Sequence, residues 1–253
     1  MTTAITARPA QRLPQLAGQT VVVIGGSAGI GLETARLART EGAEVVLVAR
    51  DRDRLTQAAS AVGARSAAAL DATDPEALAG FFGALDAPVI DHVLVTAGGP
   101  HYGPMLAMSA DEVRQAVGEH LVVALEVARH AHARMRPGGS LVLMGGTGGR
   151  RISRELGIAS AATAALPPFA AALALELAPV RVNLVAPGFV DTPLSASLLG
   201  DALDARRDEL RTTLPIGRVV GPADVAALVV HLMVNTAVTG ATYDIDGGQQ
   251  FVA

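Results

Sequence analysis

The stretch Val21-Val-Val-Ile-Gly-Gly-Ser-Ala-Gly-Ile-Gly31 decides how the chain folds. A run of β-branched residues breaks abruptly into glycines and then into the amphipathic segment Leu32 to Thr40, which reads as buried strand, tight turn and helix. Glycines at such a junction let backbone N–H groups approach an anion that also faces the positive end of the helix dipole, so the motif is a phosphate turn. Outward from it, apolar strand-like runs alternate with helical patterns, at about 20–25, 44–49, 66–70, 91–96, 140–145, 180–186 and 241–245. That alternation predicts an α/β architecture, a doubly wound parallel sheet with helices on both faces, and the strand order expected for it is 3-2-1-4-5-6-7. Segment 193–217, bounded by Pro193 and Pro215 and rich in mixed charge, falls after the sixth strand. It reads either as a lid over a ligand crevice or as a surface helical hairpin.

Composition narrows the class. With 253 residues, half of them hydrophobic and 17% charged, the chain can bury a large core, and one domain over residues 16–253 is expected behind a flexible tail at 1–15. No apolar run approaches the ~20 residues that cross a bilayer, and the N-terminus has no apolar leader, so a cytoplasmic protein without a membrane partner is expected. Zero cysteine removes disulfides, thiolate metal sites and cysteine nucleophiles, and no metal centre is expected. A net charge of −4 argues against nucleic acid, whose phosphate backbone demands a basic face. Arg50, Arg52 and Arg54 do cluster, but Asp51 and Asp53 interleave them, which also fits a solvated helix start. The 20 Lys and Arg residues are all arginine.

The spacing Gly25-x-x-x-Gly29-x-Gly31 resembles the glycine turn of the short-chain dehydrogenase/reductase family. Other signposts of that family follow in order: Arg50 after the second strand, Asp71 after the third, Ala97-Gly98 after the fourth, and Pro187-Gly188 with Thr192 after the sixth. Pro222-Ala-Asp-Val-Ala226, Thr239-Gly240 and Asp246-Gly247-Gly248 complete a likeness that runs from Val21 to about Gly248. The resemblance implies a Rossmann-type fold and a nicotinamide cofactor, with Gly25, Gly29, Ile30 and Gly31 at the pyrophosphate. It also implies Asp71 and Ala72 at the adenine, Ala97 and Gly98 at the ribose, and Thr192 at the nicotinamide carboxamide. Arg50 stands where an enzyme specific for the unphosphorylated cofactor would usually place a carboxylate. A guanidinium there favours a 2′-phosphate through a bidentate charged contact, with Ser27 as second donor, so NADP(H) is expected before NAD(H). Asp51 beside it keeps the NAD(H) reading open, and Asp71 has a competing use as a helix N-cap, which Thr73 or Asp74 could also fill.

The proton relay departs from the family. Its members combine a serine after the fifth strand, a Tyr-x-x-x-Lys pair on the next helix and an asparagine on the helix before. Counting back from Ala174-Leu-Glu-Leu-Ala-Pro179 and Arg181-Val-Asn-Leu-Val-Ala-Pro-Gly188, which resemble the family's anchor, puts the tyrosine position at Ala159 and the lysine position at Thr163. The serine position falls on Gly146 and the asparagine position on His120. A methyl donates no proton, and Thr163 supplies no cation to lower a phenol's pKa. Pro167-Pro168 predicts that the helix kinks or begins there.

Replacement groups are few. His120, with an ordinary pKa of ~6.5, suits acid–base work but also fits as a packed helix histidine. Tyr102 follows Thr96-Ala-Gly-Gly-Pro-His101 in the loop after the fourth strand, where such folds line their crevices; it and His101 also fit as an ordinary loop pair. Arg150, Arg151 and Arg154 could hold an anionic substrate, or belong to a solvated loop or subunit contact. The expected function is an NADP(H)-dependent oxidoreductase for a carbonyl or alcohol substrate with an atypical or weakened site. The alternatives are a catalytically degenerate pseudoenzyme, serving as NADP(H) sensor or scaffold subunit, and a non-redox lyase or isomerase with His120 as base. A homo-oligomer, a tetramer by family resemblance or else a dimer, is expected because Phe169-Ala-Ala-Ala-Leu-Ala-Leu175 is apolar on every face and reads as buried all round.

Overall fold

The β-branched run before the glycine turn is strand β1, Thr20–Ile24, buried along its whole length. Its alternate side chains feed two cores, Val22 and Ile24 one and Val21 and Val23 the other, as a period of two requires of a strand covered on both faces. The computed structural model describes residues 15–252 except 88, 100, 151, 153 and 155. Of the tail expected at 1–15, residues 1–14 lie outside the described residues, and the Gln15 N–H donates to a Glu41 carboxylate oxygen at 3.0 Å.

After β1 come α1 (Gly29–Thr40), β2 (Glu44–Ala49), α2 (Arg52–Val62), β3 (Ser66–Ala69), α3 (Pro75–Ala84) and β4 (Ile90–Val95). Helix α4 (Ala110–Val117) passes through one π-helical turn (Gly118–Val122) into α5 (Val123–His132), followed by β5 (Met135–Met144) and α6 (Gly157–Glu176). Then follow β6 (Arg181–Pro187), α7 (Pro193–Leu199), α8 (Leu203–Thr213), α9 (Pro222–Val234) and β7 (Thr242–Ile245). The sheet has the order β3-β2-β1-β4-β5-β6-β7 with every pair parallel, as the sequence pattern predicts. Ile24 stands level with Val48 and Val95, so β1, β2 and β4 release their loops at one edge. One face is covered by α1, α2 and α9 through residues such as Ala35, Leu55 and Val229. The other is covered by α3, α5 and α6 through Phe82, Val127 and Leu166.

Three expectations need correction. Strand β5 starts at Met135, before the expected residue 140, because pairing resumes across a register shift between Ile90 and His92. Gly139 permits it: a Cβ there would stand 2.4 Å from the Asp91 carbonyl oxygen. Helix α6 does not begin at Pro167-Pro168 but runs through them. Both prolines and Ala164 are exposed, so the N–H groups they forfeit lie on the outer face, while Leu166, Ala170 and Leu173 seat the inner face on the sheet. United across the prolines, this 20-residue helix holds an 18-residue stretch with a mean hydropathy of 1.7 and is long and apolar enough, by length and composition, to cross a membrane, contrary to the reading of the sequence. In this fold the helix lies on the sheet instead, and its outer face is bare: Ala172 is exposed and Leu175 is 84% exposed, so the segment is not buried all round within one chain.

Arginine fastens the helix ends. Arg181, on β6 and only 6% exposed, donates to the carbonyls of Leu232 (2.7 Å), Met233 (2.7 Å), Asn235 (3.0 Å) and Val238 (3.4 Å) at the end of α9, and to Gly138 (3.3 Å). Arg134 does the same after α3, through the carbonyls of Leu85 (2.7 Å) and Ala87 (2.6 Å). A planar five-donor group suits the unpaired carbonyls that every helix leaves at its end.

Candidate active site

The glycine turn is packed too tightly for any other residue. Gly25 has φ +98° and a Cβ on it would stand 2.4 Å from Thr96 Oγ1, while a Cβ on Gly31 would stand 2.3 Å from the Gly25 carbonyl oxygen. The Thr96 hydroxyl lies within 3.1 Å of the Gly25 carbonyl and 3.2 Å of that of Ile24, which ties the turn to the end of β4. Helix α1 starts at Gly29 behind Ala28, which has no side-chain acceptor, and its first turn holds no acidic residue. Its leading N–H groups therefore have no side-chain cap, which is the arrangement that receives an anion.

This turn forms one part of a cavity of about 760 Å³ at the carboxyl edge of the sheet. Gly25, Gly29, Ile30 and Gly31 line it, as do Ala97, Gly98 and Thr192. Thr192 caps α7 and approaches Gly29, whose added Cβ would sit 3.5 Å from the threonine side chain. Ser27, Arg50, Asp71 and Ala72 are outside the lining. Ser27 is half-buried in the turn, and Ala72 is buried with α3 against the sheet. Arg50 is exposed at the end of β2, with no hydrogen bond or ion pair among the described residues. Asp51 is committed elsewhere: it caps α2 by accepting from the Arg54 N–H at 2.9 Å and pairs with the Arg54 guanidinium at 3.2 Å, and the backbone bond chiefly holds its pKa low. Asp71 accepts from the Thr73 N–H (2.9 Å) and hydroxyl (2.8 Å). The backbone bond from Thr73, with the nearby Arg50 charge adding to it, keeps the Asp71 carboxyl below its ordinary range. Asp71 is not the N-cap of α3; Asp74 is, accepting from Glu76 at 2.9 Å and Ala77 at 3.1 Å.

Gly146 after β5, Ala159 and Thr163 of α6, and His120 in the π-helical turn converge on the same cavity. A Cβ on Gly146 would meet Thr163 Cγ2 at an ordinary 3.7 Å. The Thr163 hydroxyl donates to the Ala159 carbonyl at 2.6 Å. His120 Nδ1 lies 2.9 Å from the Ala116 carbonyl oxygen. A carbonyl only accepts, so Nδ1 carries the proton and Nε2 of the neutral ring keeps its lone pair. Tyr102 also lines the cavity; half of its area is exposed, yet the surrounding atoms displace enough water to push its phenol pKa up. His101 is held by Glu119 at 3.3 Å, and the same carboxylate accepts from the Gly99 N–H (3.1 Å) and the Gln115 amide (2.8 Å).

The arginines expected at the substrate do not assemble there. Arg150 forks onto Asp244 of β7, with one bond of 2.7 Å, and that pairing raises its pKa. Arg151 lies outside the described residues, and Arg154 is exposed and not in the lining. The arginine that does line the cavity is Arg206 of α8. Segment 193–217 forms α7 and α8 and walls the cavity, pinned by Arg207, which forks onto Asp191 at 3.0 and 2.7 Å. Mixed charge marked this segment in the sequence, but nothing local tells Arg206 from its neighbour.

Known proteins resemble the chain in sequence and fold. The family model described as enoyl-(acyl carrier protein) reductase matches residues 25–250. Carbonyl reductase family member 4 of Xenopus tropicalis is 29% identical over 234 residues, spanning 90% of this chain and 96% of that protein. Cis-4-hydroxycyclohexanecarboxylate dehydrogenase of Sinomonas cyclohexanicum is 32% identical over 251 residues, spanning 92% of this chain and 96% of its own. The solved structure of L-sorbose reductase from Gluconobacter frateurii, complexed with NADPH and L-sorbose, matches with a TM-score of 0.86 at 26% identity, over 94% of this chain and 99% of that one.

Proposed function

The chain belongs to the short-chain dehydrogenase/reductase family, and from that premise we propose that it is an NADP(H)-dependent oxidoreductase acting on a carbonyl or alcohol group through a divergent proton relay. The observation that carries this reading is one cavity with an anion-receptive glycine turn at one part of its wall and, at another, the ring of His120, whose Nδ1 is spent on the Ala116 carbonyl. The residues fit a nicotinamide dinucleotide: the crowded glycines leave a cradle that a Cβ would fill, and the uncapped N–H groups of α1 suit its pyrophosphate. Asp71 and Ala72 would border its adenine, Ala97 and Gly98 its ribose, and Thr192 its carboxamide. Arg50, exposed at the end of β2 and unpaired among the described residues while Asp51 is spent as a cap, favours the 2′-phosphorylated form, with Ser27 as a second donor. When bound, that cofactor supplies or accepts the hydride.

The chain's own part is the proton. That Gly146, Ala159, Thr163 and His120 line one cavity supports the reading that they take the places of the family's serine, tyrosine, lysine and asparagine, with α6 in the family register and its side chains changed. His120 Nε2 accepts the hydroxyl proton when an alcohol is oxidised and, once protonated, returns it when a carbonyl is reduced. Tyr102, on the wall of the same cavity, is the second donor, and its raised pKa makes it a weaker acid than a phenol beside a lysine. The reading includes a cytoplasmic dimer or tetramer closed over the bare outer face of α6.

A second reading has its own support. With a methyl at Ala159 and the Thr163 hydroxyl spent on a helix carbonyl, α6 offers no acid, as a cofactor-binding sensor or scaffold subunit would not need one. Fluorescence titration of NADPH and NADH with a panel of ketones and alcohols tests both. NADPH binds roughly tenfold to a hundredfold more tightly than NADH, the worth of one charged bidentate contact, and Arg50→Ala erases the difference. Equal affinities in the parent protein refute the cofactor assignment. Binding without turnover favours the sensor or scaffold, and turnover without nicotinamide oxidation favours a lyase or isomerase using His120.

A further inference from the structure

The glycine turn and the relay positions account for only part of the cavity. Much of the remaining wall is apolar: Tyr102, Ile152, Leu156, Leu194 and Leu198 come from the loop after β4, the segment before α6, and α7. Among the described lining residues the charged side chains are Glu119 and Arg206. Glu119 is consumed by the Gly99 N–H, the Gln115 amide and His101. Arg206 is not consumed. Its Nη1 donates to Glu209 at 2.6 Å, and its other guanidinium nitrogens have no partner among the described residues. Its side chain is 30% exposed against 49% for Glu209, so the arginine is the inner member of the pair. The adjacent Arg207 forks onto Asp191 and also meets Asp204 at 2.8 Å, which fixes α8 in place. One arginine thus anchors the helix while its neighbour, at the wall of an apolar chamber, keeps donors unpaired among the described residues.

Apolar walls with a few convergent polar groups set a ligand's orientation and its class. We propose that Arg206 is a specificity-determining residue that selects substrates joining an apolar body to a carboxylate. A single guanidinium with a free planar edge matches a planar carboxylate, whereas a phosphate dianion calls for more positive charge than one arginine shared with Glu209 provides. This inference rests on the oxidoreductase reading for the reaction, and stands apart from it in the group that binds.

The test uses matched probes on the NADPH-saturated protein, followed by calorimetry: octanoate, octanamide and octyl phosphate. Octanoate binds at least about tenfold more tightly than octanamide, the least that a charge-assisted bidentate contact contributes. Arg206→Gln abolishes that preference without changing NADPH affinity, Arg206→Lys retains part of it because the charge stays and the fork is lost, and Glu209→Gln strengthens octanoate by removing the competing carboxylate charge. Equal binding of octanoate and octanamide, binding of neither, or tighter binding of octyl phosphate overturns the proposal. So does weaker NADPH binding by Arg206→Gln, which would make Arg206 a cofactor group. Circular dichroism on each variant establishes that it is folded. If NADPH fails to bind while the octanoate preference persists in the protein alone, the cofactor reading falls and the role of Arg206 stands.

Discussion

Replacing Arg181 with methionine removes the guanidinium that closes the end of α9 while keeping an apolar side chain of similar reach. Its bonds to the Leu232 and Met233 carbonyls, both 2.7 Å, are charge-assisted and contribute about 1.5–3 kcal/mol each, and the longer ones to Gly138, Asn235 and Val238 contribute less. Against this stands the cost of burying a cation with no carboxylate partner, which depresses the Arg181 pKa and which methionine relieves. The carbonyls left behind, some of them buried, each cost about 1–3 kcal/mol when unsatisfied. Together these give a net loss of about 2–4 kcal/mol. At about 2–4 °C per kcal/mol for a chain of this size, the melting temperature falls by roughly 8 °C. Thermal melts at one fixed protein concentration measure it, with Arg181→Lys expected between parent and Arg181→Met because three donors replace five. A methionine variant that melts within about 1 °C of the parent, or above it, means that desolvation outweighs the carbonyl bonds and that arginine is not what holds α9 to β6.

Other expectations concern chemistry, pH and assembly. His120→Ala or Tyr102→Phe cuts turnover on a true substrate at least about tenfold with NADPH affinity unchanged, and parent-like rates in both remove them from the relay. The triple change Gly146→Ser, Ala159→Tyr and Thr163→Lys raises carbonyl reduction by about 10²–10⁴-fold, since there is room for a Cβ at Gly146; no gain means that the α6 register differs from the family's. Burial lowers the pKa of His92, between Ser140 and Gln19, to about 4 from an ordinary 6.5. The unfolded chain takes up that proton first, so stability is full above pH 6.5 and falls by about 3 kcal/mol as the pH drops towards 4. Urea midpoints measured across that window show the fall in the parent and a flatter line in His92→Asn; a flat parent line refutes the assignment. Light scattering is expected to give a multiple of the 25.7 kDa chain, and a single-chain mass refutes the oligomer.

The sheet and its turn were legible in the chain because their causes are local. Continuous apolar, β-branched runs placed β1, β2, β4 and β6 within about a residue, and the glycine spacing marked the turn, although the Thr96 hydroxyl that crowds Gly25 and Gly31 comes from the end of β4. An ungapped count back from Ala174-Leu-Glu-Leu-Ala-Pro179 named Gly146, Ala159, Thr163 and His120, and the structure brings these four to the wall of one cavity. What only the tertiary structure decided depends on partners that no local pattern names. Pro167 and Pro168 are tolerated inside α6 because they fall on its outer side, a matter of which face the sheet occupies. Arg150 is withdrawn from any substrate by Asp244, 94 residues away along the chain. Arg206 and Arg207 are identical neighbours in sequence, and the turn of about 100° between them on a helix aims one at the cavity and the other at Asp191.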